Sequence, residues 1–418
     1  MRYWQYSVLC FCNLIRRDIL KSWQCIVYIV VALLGFSIVT VYSTDMTMFA
    51  AGGAGYQFTK HLVWILLGLA VLFAMSVIDY RHLQKLAYPI IAVSVICLLV
   101  VLVPGIGTVT NGARRWLRIG SMAGIQPSEF AKLAMIIFMS NYIAKNYNNM
   151  HSFKRGFLMP LGFIALVGGL ILMEPDFGTA AFIVILSMLM CVVGGMRIIY
   201  VFFTLLAAVP FIYELVFHVP YRKMRFTSFL DPWQDPLGTG YHVIQSWIAL
   251  GSGGLTGLGL GNSKQKLFFL PESSSDFIFT VIGEEYGFIG GMTIIVLFSL
   301  LLWQGLKIVS RTKDLFGFFL GLGITVMFGL QAAMNIAVVS GIVPTKGIPL
   351  PFLSTGGSSL LFSMFGIGIL VSIAKQSLKC DTDKLSADEV KEEQSVNENF
   401  LPVRIATKII SKIAAFSW

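Results

Sequence analysis

Acids and lysines crowd the approach to a long apolar run in the segment KQKLFFLPESSSDFIFTVIGEE, residues 264–285. Lys264, Lys266, Glu272 and Asp276 precede the run, and Glu284 and Glu285 lie inside it. A charged side chain at the centre of a membrane helix costs on the order of 2.5–3.5 kcal/mol on insertion scales, so such residues face cavities and mark function. Asp276 has two readings. It could be the N-cap of the helix that follows, a common use of aspartate. It could instead be a general base, because a partly dry pocket raises a carboxyl pKa while neighbouring cations and a helix start lower it. Three serines that could cap equally well, Ser273, Ser274 and Ser275, stand directly before it. The residues alone leave that choice open.

A second constellation is NGARRWLRIG at 111–120, followed by QPSEFAKL at 126–133. Arg114, Arg115 and Arg118 fall within five residues, and guanidinium forks match phosphate oxygens in pairs, so an anion site is expected. For single lysines elsewhere, contact with anionic lipid headgroups is the expectation. Trp116 is by default an interfacial belt residue, and between arginines it could also stack on a sugar. Pro127 suits a first helical turn, and Glu129 and Lys132, three apart, share one helix face. They form either a self-compensating ion pair or the lining of a polar cavity. In EPDFGT, 174–179, Pro175 and Gly178 make a tight turn and Asp176 is expected to cap the next helix. In GIPLPFLSTGGSS, 347–359, Gly356, Gly357, Ser358 and Ser359 suit close helix packing or a cavity wall.

The elements that position these groups follow from composition. The chain has 418 residues, 56% hydrophobic and 12% charged, which excludes an ordinary soluble domain. The apolar runs are continuous rather than alternating, so helices are expected and a barrel is not. The reading is an all-α polytopic membrane protein with ten transmembrane helices near 25–42, 61–79, 86–103, 129–144, 157–173, 178–194, 198–217, 277–303, 315–340 and 350–374. Residues 1–23 form an N-terminal segment, 24–375 the membrane domain, and 376–418 a tail. Arg81, Lys85, Lys145, Lys154, Arg155, Arg197, Lys307, Arg311, Lys313, Lys375 and Lys379 fall on the side of the basic N-terminus, so both termini are expected to be cytoplasmic. The arginines at 114–118 and Arg222, Lys223, Arg225, Lys264, Lys266 and Lys346 fall outside, against that bias.

The loop at 218–276, between the seventh and eighth helices, is far too long for a connector. Residues 241–250 within it read as helical, packed on the bundle or dipping into the membrane. Gly257, Gly259 and Gly261 form no dinucleotide fingerprint, because no strand precedes them; close packing or a hinge is expected. The net charge of +10 would point to nucleic acid in a soluble protein, but here no nucleic-acid partner is expected. Cys10, Cys12, Cys25, Cys97, Cys191 and Cys380 lie in spans or on the reducing side, without zinc or disulfide spacing. Residues 376–402 read as a disordered acidic tail. Residues 403–418 read equally as a surface helix or an unstructured basic end.

The runs NGARRWLRIG, QPSEFAKLA, EPDFGTA, YHVIQSWIALGSGG, LPESSSDFIFTVIGEEYGFIGG and VPTKGIPLPFLSTGGSSL resemble the SEDS family of bacterial peptidoglycan glycosyltransferases, the FtsW, RodA and SpoVE types. The resemblance covers about 25–375, in order, and the PTKG at 344–347 is closer to the FtsW type. It implies a ten-helix enzyme of the bacterial cytoplasmic (inner) membrane, at the division septum, that polymerises lipid II into glycan strands on the outer face. It further implies a class B penicillin-binding protein and other divisome proteins as partners, beside the lipid itself. On this likeness Asp276 is the catalytic residue. The likeness implies that Arg114, Arg115, Trp116, Glu129 and Lys132 contact substrate, and Lys264, Lys266 and Glu272, which crowd the approach to Asp276, are expected to bind it too. No metal ligand is identified, though a divalent cation (Mg or Mn) could assist the leaving group. Two departures stand out: serines at 273–275 replace a usual small–His–Thr, and Thr355 replaces a frequent tyrosine. The competing readings are a lipid II flippase, an elongation polymerase of the RodA type, and a scaffold for division enzymes.

Overall fold

The computed structural model describes residues 2–50, 56–110, 113–119, 123–218, 220–266, 270, 274–344 and 347–377. Twelve α-helices, three shorter helical turns and one small sheet occupy them. In chain order the first helices are α1 (Arg2–Ala50), α2 (Tyr56–Val77) and α3 (Arg81–Leu102). Strands β1 (Gly107–Thr110), β2 (Ala113–Ile119) and β3 (Ala123–Ile125) follow. Then come α4 (Pro127–Asn146), α5 (Met159–Met173), α6 (Phe177–Val193), α7 (Ile198–Phe217), α8 (Pro220–Leu230) and α9 (Tyr241–Ser252). The chain closes with α10 (Ile278–Val309), α11 (Leu315–Val339) and α12 (Gly357–Ser377).

Seven helical stretches are long and apolar enough to cross a membrane: Ser22–Met46, Gln57–Val77, Arg81–Leu102, Phe153–Met173 (a π-helical turn, Phe153–Leu158, running into α5), Ile278–Val309, Leu315–Val339 and Gly357–Ser377. Each of the ten segments expected from sequence overlaps a helix, but length and composition alone qualify seven. α6, with 17 residues, and Ile198–Pro210 of α7 are shorter apolar pieces. α4 carries Glu129, Lys132 and Lys145, and its side chains are buried from Pro127 to Ile143 except Phe130. It is the central helix, packed against α3, α6 and α11. Glu129 and Lys132 therefore meet protein rather than lipid, which is where intramembrane charge is tolerated, while Lys145 is exposed in the last turn. Phe73 and Trp303, 72% and 68% exposed, belong instead to the apolar outer surface of the bundle.

Three features depart from the sequence reading. The first helix is longer than the expected 25–42, because the α1 backbone is helical from Arg2 to Ala50. The stretch read as an arginine loop is an antiparallel sheet in the order β1-β2-β3, with Trp116 opposite Thr108 and Arg118 opposite Gly124. The helix expected at 277–303 is broken. Gly287 sits at φ 68° and ψ −162°, a conformation that glycine alone adopts without strain. Around it the helix's own ladder is replaced by bonds to the glycine-rich loop. Leu258 and Gly259 N–H donate to the carbonyls of Glu284 and Glu285 at 3.0 and 3.1 Å. Phe288 and Ile289 N–H donate to the carbonyls of Gly254 and Leu255 at 2.9 and 3.2 Å. Gly257 (φ 82°) must be glycine here, since a Cβ would lie 2.1 Å from the Glu285 carbonyl oxygen. The hinge-or-packing expectation for these glycines thus resolves to packing into a broken helix.

The expected helix at 241–250 is α9, which buries Val243, Ile244, Ser246 and Ala249 and packs on α10. Its Trp247 indole donates to the Ser340 carbonyl at 3.1 Å, pinning it to the end of α11. The tail from 378 onward lies outside the described residues.

Candidate functional site

At the end of the bundle that carries the sheet lies a cavity of about 480 Å³. Gln57, Lys60, His61 and Trp64 reach it from α2; Arg115, Trp116 and Arg118 from β2; and Gln126 from just before α4. Ser274, Ser275 and Asp276 form its wall ahead of α10, opposite Gly347, Pro349 and residues 355–359. Its described wall carries three cations, Lys60, Arg115 and Arg118, and one carboxylate, Asp276.

The turn bearing Asp276 is built by other elements. Asn335 Nδ2, on α11, donates to the carbonyls of Asp276 and Ile348, both at 2.8 Å. Ser354 Oγ donates to the Ser275 carbonyl at 2.6 Å, and Thr355 donates to that of Ser274 through N–H (3.1 Å) and Oγ1 (3.0 Å). Gly347 backs the carboxylate: a Cβ there would lie 2.6 Å from Asp276 Oδ2. The N-cap position of α10 falls on Phe277, whose side chain makes no cap bond, and Asp276 stands one residue ahead of it. Thr355, one of the two departures from the family pattern, turns out to hold the Ser274 carbonyl.

Arg115 is anchored by two backbone carbonyls. Its Nε donates to Glu174 O at 3.2 Å and its Nη2 to Pro175 O at 2.6 Å. Neutral acceptors fix the guanidinium without cancelling its charge, which leaves it available to an anion. The turn that supplies them is the expected EPD turn, and Asp176 caps α6 by accepting from Thr179 N–H (3.1 Å) and Oγ1 (2.8 Å). The Glu174 side chain is buried with both oxygens unpartnered. Burial pushes its carboxyl up from 4.5 to about 8, Asp176 adds to the shift and Arg115 opposes it. At neutral pH Glu174 is therefore mostly uncharged and leaves the Arg115 cation intact.

Glu129 and Lys132 form a buried ion pair at 2.8 Å. They line a smaller pocket of about 30 Å³ with Thr179, Gln331 and Ile348; this pocket shares Gln126, Gly347 and Pro349 with the large cavity. Both sequence readings of the pair thus describe one arrangement, a compensated pair in a polar wall.

The remaining expected residues fall elsewhere. Arg114 pairs with Val109 in the sheet and is not in the cavity wall. Lys264 is exposed and bonds to Glu284 only through its backbone N–H, at 2.9 Å. Lys266, expected to bind substrate, is instead buried in a 2.6 Å ion pair with Glu285, so a molecule in this cavity does not meet it. Glu272 lies outside the described residues. Sequence reasoning missed Gln57, Lys60, His61 and Gln126 as wall residues; the available signal was a Lys-His pair at the very edge of an apolar span. Among the described residues no three His, Cys, Asp or Glu side chains gather as a metal site.

The family profile FTSW_RODA_SPOVE, described as a cell cycle protein, matches residues 24–379. A protein of Trichlorobacter lovleyi named "Probable peptidoglycan glycosyltransferase FtsW" is 44% identical, over 82% of this chain and 91% of its own. The "Stage V sporulation protein E" of Bacillus subtilis is 40% identical over 84% and 96%. Among solved structures, a chain from a study of polymerization and crosslinking by a peptidoglycan synthase complex superposes with a TM-score of 0.70 at 28% identity, covering 84% of this chain and 97% of that one. The rod shape determining protein RodA of Thermus thermophilus shares the fold, with a TM-score of 0.61 at 24% identity over 84% and 96%. With the profile spanning the whole helical bundle and both relatives aligned over most of their length, this chain belongs to the FtsW/RodA/SpoVE family of cell cycle proteins.

Proposed function

We propose that this protein is a peptidoglycan glycosyltransferase that polymerises lipid II into glycan strands during cell division. The observation that carries the reading is one carboxylate, Asp276, in the wall of a cavity whose other charged groups are Lys60, Arg115 and Arg118. In this reading the Asp276 carboxylate takes the proton of the acceptor sugar hydroxyl. The freed oxygen pair bonds to the anomeric carbon of the donor, whose bond to the pyrophosphate oxygen breaks, and that oxygen leaves with the electron pair. Arg115 and Arg118 stabilise the developing pyrophosphate charge, as preorganised donors do. A positioned base contributes roughly 10²–10⁴ in rate. Trp116 offers a flat apolar face to a sugar ring. The described wall holds a single carboxylate, so a divalent cation here would rest chiefly on the substrate's own phosphate oxygens, and no step above uses one.

The sheet end of the bundle is then the outer face, with both termini cytoplasmic and the protein at the septum of the inner membrane. That a similar solved chain belongs to a complex which couples polymerization to crosslinking supports a crosslinking partner; in this reading the partner is a class B penicillin-binding protein, beside other divisome proteins. The relatives named FtsW favour the division role over the elongation role.

The test is to supply purified lipid II to the protein and its penicillin-binding partner in liposomes and to resolve the products by size. Glycan polymer is the expected result. Movement of a labelled lipid II across the bilayer with no polymer would replace this reading with a flippase.

A further inference from the structure

The two acids that end the first half of α10 hold the preceding loop from the side. The Glu284 carboxylate accepts from Ser263 Oγ at 2.5 Å and from the N–H groups of Lys264 and Gln265 at 2.9 and 3.3 Å. Glu285 Oε1 accepts from Lys266 Nζ at 2.6 Å and from Ser43 Oγ, on α1, at 2.7 Å. Lys266 Nζ also lies 2.8 Å from Ser43 Oγ, which closes the triangle. The Lys266 and Glu285 side chains are 1% and 0% exposed. Three separate parts of the chain meet there: α1, the loop after α9, and α10.

A buried ion pair is weak evidence for stability, since an apolar pair of similar volume often does as well; its best-attested use is to fix register. Here there is a register to fix. The break at Gly287 uncouples residues 278–286 from the rest of α10. Asp276 stands ahead of that half-helix and Glu285 near its end, separated by roughly 12–14 Å of chain at 1.5 Å per residue. Gly347 stands close behind the carboxylate: a Cβ added there would lie 2.6 Å from Oδ2.

We propose that Lys266, Glu285 and Ser43 form a latch that fixes this half-helix and thereby sets the place of Asp276. Lys266 and Glu285 are then positioning residues for glycan synthesis, not substrate ligands. The assignment rests on Asp276 being the base. Its energetic leverage is geometric: a misplacement of about 1 Å can cost on the order of 10² in rate.

The experiment uses the full chain with its penicillin-binding partner in liposomes and the variants Lys266→Met, Glu285→Gln and Ser43→Ala. Hydrogen exchange at the amides of Leu258, Gly259, Phe288 and Ile289 reads the latch directly. Glycan synthesis against lipid II concentration and pH reads its consequence. The expected result for the first two variants is about tenfold faster exchange at those amides and about tenfold lower turnover. Donor KM should stay within about twofold, with a displaced acidic limb of the pH–rate profile, which a mere loss of folded protein would leave in place. Ser43→Ala keeps both charges and should shift the same readouts less, which preserves the test if the other two fail to fold. Unchanged exchange, wild-type turnover, or a raised donor KM with unchanged exchange would each overturn the latch. Wild-type turnover by Asp276→Asn would overturn the base assignment instead, while the exchange data would still report on the latch.

Discussion

Asp276, Arg115 and Trp116 were legible as residues because each is expensive or unusual where it stands: an acid before an apolar run, a cation on the side that disfavours it, an indole between arginines. The buried pairing of Lys266 is not legible in the sequence, for a physical reason. Its partners are Glu285, 19 positions on, and Ser43, 223 positions back, and no local spacing announces such a triangle. Lys60 and His61 carry no distinctive sequence signal, since a cation at the end of a span is ordinarily an interfacial anchor. At this scale Glu174 makes a prediction with a definite sign. Its folded carboxyl titrates near 8 and its unfolded one near 4.5, so between those values the folded state binds more protons. Stability from this group is complete below pH 4.5 and lost as pH rises toward 8. Glu174→Gln should therefore raise the thermal midpoint over wild type at pH 8, with the gap closing toward pH 4.5; an equal gap at both pH values would contradict the burial argument. Arg115→Lys should lower kcat/KM for lipid II about tenfold, because an ammonium cannot span both carbonyls and still offer a fork to phosphate. A change under twofold would remove Arg115 from the anion site.

Among the elements, the apolar helices could be read from the chain, since a run long enough to span hydrocarbon leaves few alternatives. The sheet could not. Its strands are short, β1 and β2 meet through a bulge, and four charged or aromatic side chains in seven residues mask any alternation. The break in α10 was hidden in a different way: TVIGEEYGFIGG carries four glycines, each a weak helix former, and only the carbonyls of Gly254 and Leu255, from another segment, decide that the helix opens at Gly287. Gly287→Ala tests that element. A side chain at this φ costs of order 1–3 kcal/mol, and its Cβ would lie 2.3 Å from Gly257 N, so a lowered thermal midpoint is expected. An unchanged midpoint would mean that the helix closes over the break. Gly347→Ala acts more narrowly: with its Cβ 2.6 Å from Asp276 Oδ2, it should cut turnover while leaving the fold intact, and undiminished turnover would show that the carboxylate has room to move.

Across the whole molecule, the bundle gives up continuity where the cavity needs it. α4 keeps its polar face inside protein, α10 breaks to accept a loop, and residues 347–356 wind ahead of α12 to hold the turn at 274–276. Seven apolar helices frame these irregular parts, and irregular backbone at such depth is tolerated only where protein or a cavity surrounds it. The family could be seen in sequence because its motifs coincide with those irregular parts, where few residue types fit. The account stands or falls on one side chain. Asp276→Ala, purified in folded form with the penicillin-binding partner and given lipid II, should still bind the donor but form glycan at a rate lower by roughly 10²–10⁴. Polymer at the wild-type rate from that variant would contradict the account.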